Sequence, residues 1–276
     1  MRARKRFGQN FLQDQRVIQR ILQAINPQPG DHILEIGPGR GALTRGLIAS
    51  GCQLDVVEID RDLAAELRQQ HPDLNVIEAD ILKFDFKSLE RKGPIRVVGN
   101  LPYNISTPLL FRLFEHVGLI KDMYFMLQLE VVERMVAPHS TSNYGRLSIM
   151  SQHYCENQKL FDVTPDAFIP QPKVTSAILQ LLPHTQPAKI DNLALFQALV
   201  TRAFTQRRKT LRNALKPYLT AEEMESLNIS ASQRPETVSG AQYIQCANYL
   251  SARDVAVDSP VDSPVDTPAA ASGELT

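Results

Sequence analysis

Cysteine is scarce in this sequence and long hydrophobic runs are absent. The 276 residues include three cysteines, Cys52, Cys155 and Cys246, which stand far apart and form no CxxC pair. These cysteines disfavour a disulfide framework and a cysteine-based zinc site, and they indicate a reducing compartment. No stretch approaches the ~20 apolar residues that a membrane-spanning helix needs. We therefore expect a soluble, cytoplasmic protein that makes no membrane contact.

Metal-ligand patterns are also lacking, because the six histidines are scattered without ligand spacing. No metal site is expected. The rest of the composition is ordinary, with 43% hydrophobic residues, 22% charged residues, 13 glycines and 18 prolines. These proportions exclude a fully disordered chain, a collagen and a coiled coil. The length corresponds to one or two domains.

The net charge of zero results from cancellation along the chain. Residues 255–276 contain four acids and no Lys or Arg, which leaves 30 basic against 26 acidic residues elsewhere. Residues 1–20 hold six basic residues and one acid, and residues 192–221 hold six and no acid. Two such clusters favour contact with a polyanion. The alternative is a pair of ordinary solvated helix surfaces.

Short apolar runs alternate with helical patterns through the first two thirds of the chain, which favours an α/β fold with a mostly parallel sheet and helices on both faces. Short connections between the later strands predict an antiparallel edge. Strands are predicted over residues 32–36, 53–59, 74–78, 95–99, 123–127, 147–154 and 174–182, and helices over 14–25, 42–50, 61–71 and 108–117.

The strand patterns stop after residue 182, and helices are predicted over residues 193–205, 209–219, 221–227 and 241–250. We therefore expect a small all-α domain after a linker near residues 183–191. The last segment repeats Val-Asp-Ser-Pro and has no large apolar side chains, which predicts a disordered acidic tail. The predicted boundaries are 1–186 for the α/β domain, 187–254 for the helical domain and 255–276 for the tail.

A glycine-rich turn follows the first predicted strand of the sheet. Gly37 and Gly39 let the backbone adopt positive φ and approach a ligand at the start of a helix. The pattern also fits the relaxed dinucleotide fingerprint, and a turn without a ligand is the simplest alternative. Glu35 in the preceding strand and the tight Gly-x-Gly-x-Gly spacing favour S-adenosyl-L-methionine over NAD.

Acidic residues end the next two strands. A carboxylate at the end of the second strand can accept both hydroxyl groups of a ribose, and Glu58 is favoured for this role, with Asp60 as the second candidate. Asp80 closes the third strand and could accept from the exocyclic amine of the cofactor adenine. Solvated strand-end acids without a ligand are the alternative interpretation.

The fourth strand ends in Asn100-Leu-Pro-Tyr103, which suits methyl transfer to an exocyclic adenine amine. That nitrogen is a poor nucleophile because its lone pair is delocalised into the ring. The side-chain oxygen of Asn100 and the carbonyl of Leu101 can accept its two N–H groups and favour a pyramidal nitrogen. Tyr103 offers a flat face for a base that has left its stack. A common loop without chemistry is the alternative.

Three further segments carry a family resemblance: Arg6-Phe-Gly-Gln-Asn-Phe-Leu12, Phe168-Ile-Pro-Gln-Pro-Lys-Val-Thr-Ser-Ala177 and Phe204-Thr-Gln-Arg-Arg-Lys-Thr-Leu-Arg-Asn213. With the preceding motifs they resemble the ribosomal RNA adenine N6-dimethyltransferase family, and most closely its bacterial small-subunit branch, over roughly residues 4–250. The resemblance implies a class I methyltransferase fold with S-adenosyl-L-methionine as cofactor.

The same resemblance implies site residues. Gln9, Asn10 and Leu12 would fold over the cofactor, and Phe168 would face the target base opposite Tyr103. The remaining cofactor residues would be Gly37, Gly39, Glu58, Asp80 and Asn100. The catalytic set would be Asn100, Leu101, Tyr103 and Phe168.

The expected activity is dimethylation of N6 on two adjacent adenosines in a hairpin loop near the 3′ end of small-subunit (16S) rRNA, during small-subunit biogenesis. The number of methyl groups and the choice of hairpin come from the resemblance alone. The expected partner is 16S rRNA within the small subunit or its precursor, and we expect a monomer. Three alternatives stay open: a large-subunit rRNA dimethyltransferase, an RNA-binding assembly factor that needs no turnover, and a dinucleotide-dependent oxidoreductase.

Overall fold

The structure, a computed structural model, describes residues 9–253, apart from the side chains of residues 90–92. The predicted acidic tail and the basic residues 1–8 lie outside the described part. The chain divides into two compact units, with the second beginning at Lys189. The expected division lay two residues earlier, between residues 186 and 187.

The first unit alternates strands and helices. Its strands are β1 (Phe11–Leu12), β2 (His32–Ile36), β3 (Gln53–Glu58), β4 (Asn75–Glu78), β5 (Ile95–Asn100), β6 (Ile120–Gln128), β7 (Cys155–Val163), β8 (Phe168–Ile169) and β9 (Ser176–Pro183). Its helices are α1 (Gln15–Ile25), α2 (Thr44–Ala49), α3 (Arg61–Gln70), α4 (Ser106–Glu115), α5 (Leu129–Val136) and α6 (Arg146–Tyr154).

The main sheet has the strand order β4-β3-β2-β5-β6-β9-β7. Strands β2 to β6 pair in parallel, and β9 runs antiparallel to both β6 and β7. The predicted mostly parallel sheet with an antiparallel edge is therefore confirmed. The order reverses direction at β2, which places the carboxyl ends of β2 and β5 beside each other, where α/β proteins bind ligands.

Alternate residues of the central strands enter two separate cores. Leu34 and Ile36 of β2 pack with α4 and α5 on one face, whereas Ile33 packs with α1, α2 and α3 on the other. Strands buried on both faces read as continuous apolar runs in sequence. The helices thus cover both faces, as the alternating pattern predicts.

A buried ion cluster ties α1 to the sheet at the edge opposite the ligand-binding ends. The Arg96 guanidinium donates to both carboxylate oxygens of Asp122, at 2.8 and 2.9 Å, and to Asp31 at 2.7 Å. It also donates to the carbonyl of Ile25, the last residue of α1, at 2.6 Å. These carboxylates hold the pKa of Arg96 above its ordinary value despite burial. The cluster holds the end of α1 against β5.

The second unit is helical, as predicted, and contains α7 (Leu193–Thr205), α8 (Leu211–Ala214), α9 (Ala221–Ser226) and α10 (Gly240–Ala252). Thr220 caps α9 and Ser239 caps α10, each in a reciprocal capping box with the residue three positions later. Helices α7 and α10 bury the apolar core of this unit. Between residues 9 and 253, no helix combines the length and hydropathy needed to cross a membrane.

Two sequence predictions about individual elements are wrong. Residues 147–154 lie in helix α6 rather than in a strand. The prediction is wrong because Leu147 to Ser151 are all buried, so the sequence here shows no helical periodicity of apolar and polar residues. The strand follows at β7, an edge strand rich in polar residues. The helix predicted over residues 209–219 is reduced to the single turn of α8.

Candidate active site

A cavity of about 270 Å³ lies at the carboxyl ends of β2, β3, β4 and β5. Its lining includes every residue that the sequence assigned to the cofactor: Gln9, Asn10, Leu12, Gly37, Gly39, Glu58, Asp80 and Asn100. Leu101 and Tyr103 of the predicted catalytic set line it too. These residues span 95 positions of sequence, and the parallel strands bring them together because their carboxyl ends share one edge.

The glycine turn after β2 uses the conformations that glycine permits. Gly37 and Gly39 have φ of 63° and 58°, a region that side chains disfavour. The N–H of Gly37 donates to the carbonyl of Val57 at 2.9 Å, which ties the turn to β3. A Cβ at Gly37 would meet no atom within 4 Å, so the backbone here borders open space. The turn is shaped to approach a ligand.

The two acids after β3 have different roles. Glu58 lines the cavity, and its carboxylate accepts from the N–H of Gly39 at 3.1 Å and of Asp60 at 2.9 Å. Burial raises the pKa of Glu58. Asp60 instead caps α3 by accepting from the N–H of Asp62, and it lies outside the cavity lining. This arrangement favours Glu58 as the ribose acceptor and gives Asp60 a structural role.

Asp80 stands at the end of β4 on the cavity wall. One of its oxygens accepts from the N–H of Leu82 at 3.0 Å and thereby caps the short turn Ile81–Lys83. Asp80 and Glu58 both line the cavity. Next to these acids, the exposed side chain of Ile59 supplies an apolar wall to the cavity.

The N-terminal segment Gln9–Leu12 crosses the edge of the cavity. The Gln9 amide donates to Asp60 at 3.2 Å, and the Asn10 carbonyl accepts from Asn100 at 3.1 Å. The Phe11 ring lies against the glycine turn, so that a Cβ at Gly39 would lie 3.2 Å from Cδ1 of the ring. Strand β1 then pairs with β8, with Leu12 opposite Phe168. The segment therefore touches the ends of three strands, a placement that suits a cover over a ligand.

The Asn-Leu-Pro-Tyr turn begins at the last residue of β5. The N–H of Leu101 donates to the carbonyl of Met126 on β6 at 3.2 Å, which fixes the turn against the sheet. The amide nitrogen of Asn100 faces Asn10, so its side-chain oxygen accepts no hydrogen bond from the described residues. The hydroxyl of half-buried Tyr103 hydrogen-bonds Ser176 at 2.9 Å, and burial raises the pKa of Tyr103. The turn presents an unengaged acceptor beside an anchored ring.

Phe168 is not brought to the cavity. It is 1% exposed, packs in the core with α1, and is absent from the cavity lining. Its neighbour Ile169 is 58% exposed. In this conformation the Phe168 ring cannot contact a base, so the role that the sequence assigned to it stays a prediction.

Sequence reasoning used Glu35 only as a sign of the cofactor class and missed Gly99, although both residues shape the site. Buried Glu35 lines the cavity floor, accepts from the Thr44 hydroxyl at 2.7 Å, and has its pKa raised to about 7 by burial and then by the Glu58 charge. Gly99 lies where β5 passes β2 closely, so that a Cβ would fall 2.6 Å from the Ile36 carbonyl oxygen. The signal for Gly99 was a glycine inside a strand, which commonly marks a close backbone approach.

Among the described residues, no group of three or more His, Cys, Asp and Glu side chains is placed to hold a metal ion.

Sequence comparisons agree with the motifs. The model of the family described as "Ribosomal RNA adenine dimethylase" matches residues 1–252. A protein named "Ribosomal RNA small subunit methyltransferase A" from Marinobacter nauticus is 52% identical over 253 residues, which cover 90% of this chain and 92% of that protein. A protein of the same name from Pseudomonas fluorescens is 53% identical over 257 residues, covering 91% and 94%.

Solved structures show the same fold. A dimethyladenosine transferase from Plasmodium falciparum is 25% identical with a TM-score of 0.76, covering 89% of this chain and 98% of that one. The 23S rRNA methyltransferase ErmE is 27% identical with a TM-score of 0.68, covering 88% and 100%. The class I methyltransferase fold is therefore confirmed. The family model matches residues 1–252, and the two named relatives are about half identical to the chain over nine tenths of its length. The chain therefore belongs to the ribosomal RNA adenine dimethylase family.

Proposed function

We propose that this chain transfers methyl groups from S-adenosyl-L-methionine to N6 of two adjacent adenosines in a hairpin loop near the 3′ end of 16S rRNA. Membership of the family accounts for rRNA adenine dimethylation. The acceptor would be the small ribosomal subunit or its precursor in the cytoplasm, and the enzyme would act as a monomer. The observation that carries the proposal is the Asn100 side-chain oxygen, held at the edge of a cavity that collects all eight predicted cofactor residues.

The residues of the cavity fit S-adenosyl-L-methionine. The backbone at Gly37 borders open space, as a close approach to a ligand requires. Glu58 would hold the ribose hydroxyls, Asp80 the adenine amine, and Ile59 would cover the adenine ring. When bound, this group supplies an electrophilic methyl attached to a sulfonium sulfur. The segment Gln9–Leu12 would cover it and exclude water.

The target adenine is bound by the turn at the end of β5. The Asn100 side-chain oxygen and the Leu101 carbonyl accept the two N–H groups of N6, which turns the nitrogen lone pair away from the ring. Tyr103 stacks on the base, and its hydrogen bond to Ser176 limits rotation of its ring. Catalysis then lies in positioning and electrostatics. The methylated nitrogen is strongly acidic and loses its proton to water, so no side chain acts as a base.

The second unit would bind rRNA through its basic residues. The base must leave its stack at a cost of about a few kcal/mol, which favours loop adenosines as targets. Phosphate contacts would supply the binding energy that offsets this cost. Exposed Arg208 and Lys209, between α7 and α8, are the strongest candidates for these contacts.

The small subunit is favoured over the large subunit by sequence similarity. The relatives named for the small subunit are 52% and 53% identical to this chain, whereas the 23S rRNA methyltransferase is 27% identical. The complete Asn-Leu-Pro-Tyr turn argues against an assembly factor without turnover. The carboxylate of Glu58 accepts two backbone N–H groups at a position where dinucleotide sites also have an acid. Glu58 therefore does not distinguish S-adenosyl-L-methionine from a nicotinamide dinucleotide.

The test is methyl transfer from labelled S-adenosyl-L-methionine to unmethylated small subunits, large subunits and free rRNA, followed by mass mapping of the methylated nucleotides. We expect label on two adjacent adenosines of 16S rRNA. Label on 23S rRNA would move the chain to the large-subunit branch. Thermal stabilisation by a nicotinamide dinucleotide, and none by S-adenosyl-L-methionine, would overturn the cofactor assignment.

A further inference from the structure

A second groove, of about 340 Å³, lies between α1 and α2 beside the candidate active site. Its lining includes Ile18 and Leu22 of α1 and Gly46 of α2. A Cβ at Gly46 would lie 2.2 Å from Cδ1 of Leu22, so the helices approach each other closely only because this residue is glycine. The reaction described above makes no use of this groove.

The polar lining of the groove consists of amides and guanidinium groups. Gln13, Gln15 and Gln19 supply exposed amides, and Arg40 and Arg45 supply the charges. Among residues 9–253, no acidic residue lines it. A guanidinium binds phosphate through two parallel hydrogen bonds, and an amide both donates to and accepts from the edge of a base. The groove therefore has the donors and acceptors that one nucleotide needs.

The charge around the groove is mostly positive, although Asp14 caps the start of α1. Residues 15–25 and 40–51, which form its two sides, contain four arginines and no acid, in a chain whose formal net charge is zero. Helix α3, in contrast, carries two acids. Such a surface attracts a polyanion. The bias is local, and it is located beside the site of chemistry.

The groove and the active-site cavity share a wall. Phe11, Leu12, Arg40 and Ala42 line both, and the Arg40 guanidinium lies 4.7 Å from the centre of the Phe11 ring. Asn10, which accepts from Asn100, is the residue just before Phe11. A strand advances about 3.3 Å per residue, so the groove begins at Phe11, roughly 3 Å from Asn10 along the chain, and Leu12 lies roughly 7 Å from Asn10. That separation suits the nucleotide next to the target.

We propose that the α1–α2 groove is a second nucleotide subsite, which binds the nucleotide adjoining the target adenosine. Arg40 and Arg45 hold its phosphate, and Gln15 and Gln19 contact its base. This inference rests on the proposed transfer to RNA and extends it. Since the two target adenosines are neighbours, a subsite for the adjoining nucleotide holds the RNA in register while each base in turn reaches Asn100.

The first experiment adds a negative charge to one groove residue with little change of shape. Gln19→Glu places a carboxylate in the groove that would bind a polyanion, and like charges at an interface are strongly unfavourable, so we expect small-subunit binding to weaken by about tenfold or more. Gln23→Glu is the matched control, because it makes the same change one turn further along α1 at an exposed residue outside the groove. The control should stay within about twofold of the wild-type protein, as remote surface charges usually do. Calorimetry should show unchanged S-adenosyl-L-methionine affinity in both.

The second experiment identifies the occupant. A variant with the photocrosslinking residue benzoylphenylalanine in place of Gln19 is mixed with unmethylated small subunits and irradiated. The crosslinked nucleotide is then mapped by primer extension. We expect crosslinks within about two nucleotides of the methylated pair, given that Leu12 lies roughly 7 Å from Asn10 along the chain. The same group in place of Gln23 should give few or none at that position.

Several results would overturn the inference. Equal effects of Gln19→Glu and Gln23→Glu would reveal general electrostatics rather than a subsite. Crosslinks to a ribosomal protein, or to RNA far from the methylated pair, would give the groove a different partner. Wild-type protein that fails to methylate small subunits would instead defeat the proposed function. In that case the crosslinking experiment still reports whether RNA enters the groove.

Discussion

The amide nitrogen of Asn100 donates a hydrogen bond to the backbone carbonyl of Asn10 at 3.1 Å, across 90 residues of sequence. This contact decides which way the Asn100 amide points. Because its nitrogen faces the N-terminal segment, its oxygen stays available as an acceptor at the cavity. One side chain thus links the segment that would cover the cofactor to the turn that would bind the target.

Replacing Asn100 by Ala should abolish most turnover. The lost acceptor matters most as positive charge builds on the nitrogen, so transfer should fall by at least about two orders of magnitude, as when one oxyanion-type partner is removed. Small-subunit binding should persist, because phosphate contacts elsewhere supply most of it. Single-turnover transfer, measured beside binding on the same protein, provides the test. Near-normal transfer would eliminate the mechanism.

Asn100→Asp separates the two functions of this side chain. A carboxylate still accepts from the target amine but cannot donate to the Asn10 carbonyl, and two oxygens would face each other at that contact. We expect weaker S-adenosyl-L-methionine binding than in the wild-type protein and transfer above that of Asn100→Ala. An Asp variant with full cofactor affinity would show that the contact with Asn10 has no role in binding.

Glu58 and Asp60 should give different phenotypes. Glu58→Ala leaves the ribose hydroxyls without their charged acceptor, a loss of about 1.5–3 kcal/mol of binding free energy. Asp60→Ala removes the cap of α3, which should cost about 1 kcal/mol of folding free energy with a smaller effect on cofactor binding. Calorimetry and urea unfolding of both variants measure the two quantities. The reverse pattern would assign the ribose to Asp60.

Glu35 should make stability depend on pH. Its pKa rises from 4.5 to about 7 in the folded protein, so the folded state keeps a proton that the unfolded state releases. The contribution of Glu35 to stability should therefore be fully present below pH 4.5 and should be lost as the pH rises to about 7. At 1.36 kcal/mol per pKa unit the loss is about 3 kcal/mol.

Urea unfolding at pH 5 and pH 8 tests this dependence. Glu35→Gln should be more stable than the wild-type protein at pH 8, by up to about 3 kcal/mol, with a smaller difference at pH 5. Glu156→Gln, at an exposed position on the edge strand β7, is the control and should track the wild-type protein. Parallel pH curves for Glu35→Gln and the wild-type protein would show that Glu35 does not hold this proton.

Gly99→Ala should displace the catalytic turn. The new Cβ would fall 2.6 Å from the Ile36 carbonyl oxygen, so β5 must move away from β2 just before Asn100. Overpacking of this kind costs about 1–3 kcal/mol. Gly118→Ala is the matched control, since a Cβ there meets nothing within 4 Å. Thermal unfolding and methyl transfer should fall together in the first variant and stay unchanged in the second.

The three basic residues at positions 207–209 should have two different functions, one in folding stability and one in RNA binding. Arg207 lies 3.8 Å from the Glu236 carboxylate, within the second unit, whereas Arg208 and Lys209 are exposed. Replacing Arg208 or Lys209 by Ala should lower the salt slope of small-subunit binding by about 0.7–0.9 each. Arg207→Ala should mainly lower the melting temperature. A full salt slope in the double variant Arg208→Ala, Lys209→Ala would make these residues an ordinary solvated surface.

The positions of most strands along the chain and the residues that meet at the cavity could be predicted because they depend on local patterns. Apolar runs at residues 32–36 and 95–99 specify buried parallel strands, and polar residues directly after such strands must meet at one edge of the sheet. Gly37, Glu58, Asp80 and Asn100 therefore converge.

Other features depended on partners distant in sequence. Glu58 and Asp60 end the same strand with the same chemistry, and only the contact with Gln9 and the cap of α3 distinguish them. The helix at 146–154 was mistaken for a strand because burial on all sides removes the periodicity that marks a helix.

The sequence by itself determined the fold class, the family and the residues of the cavity, because strand patterns and short motifs are local and parallel strands align their carboxyl ends. Tertiary structure alone decided three other features: the orientation of the Asn100 amide, the burial of Phe168 and the groove between α1 and α2. Each of these depends on atoms that approach from remote parts of the chain. The distance between such atoms is set by packing, which no local pattern of residues encodes.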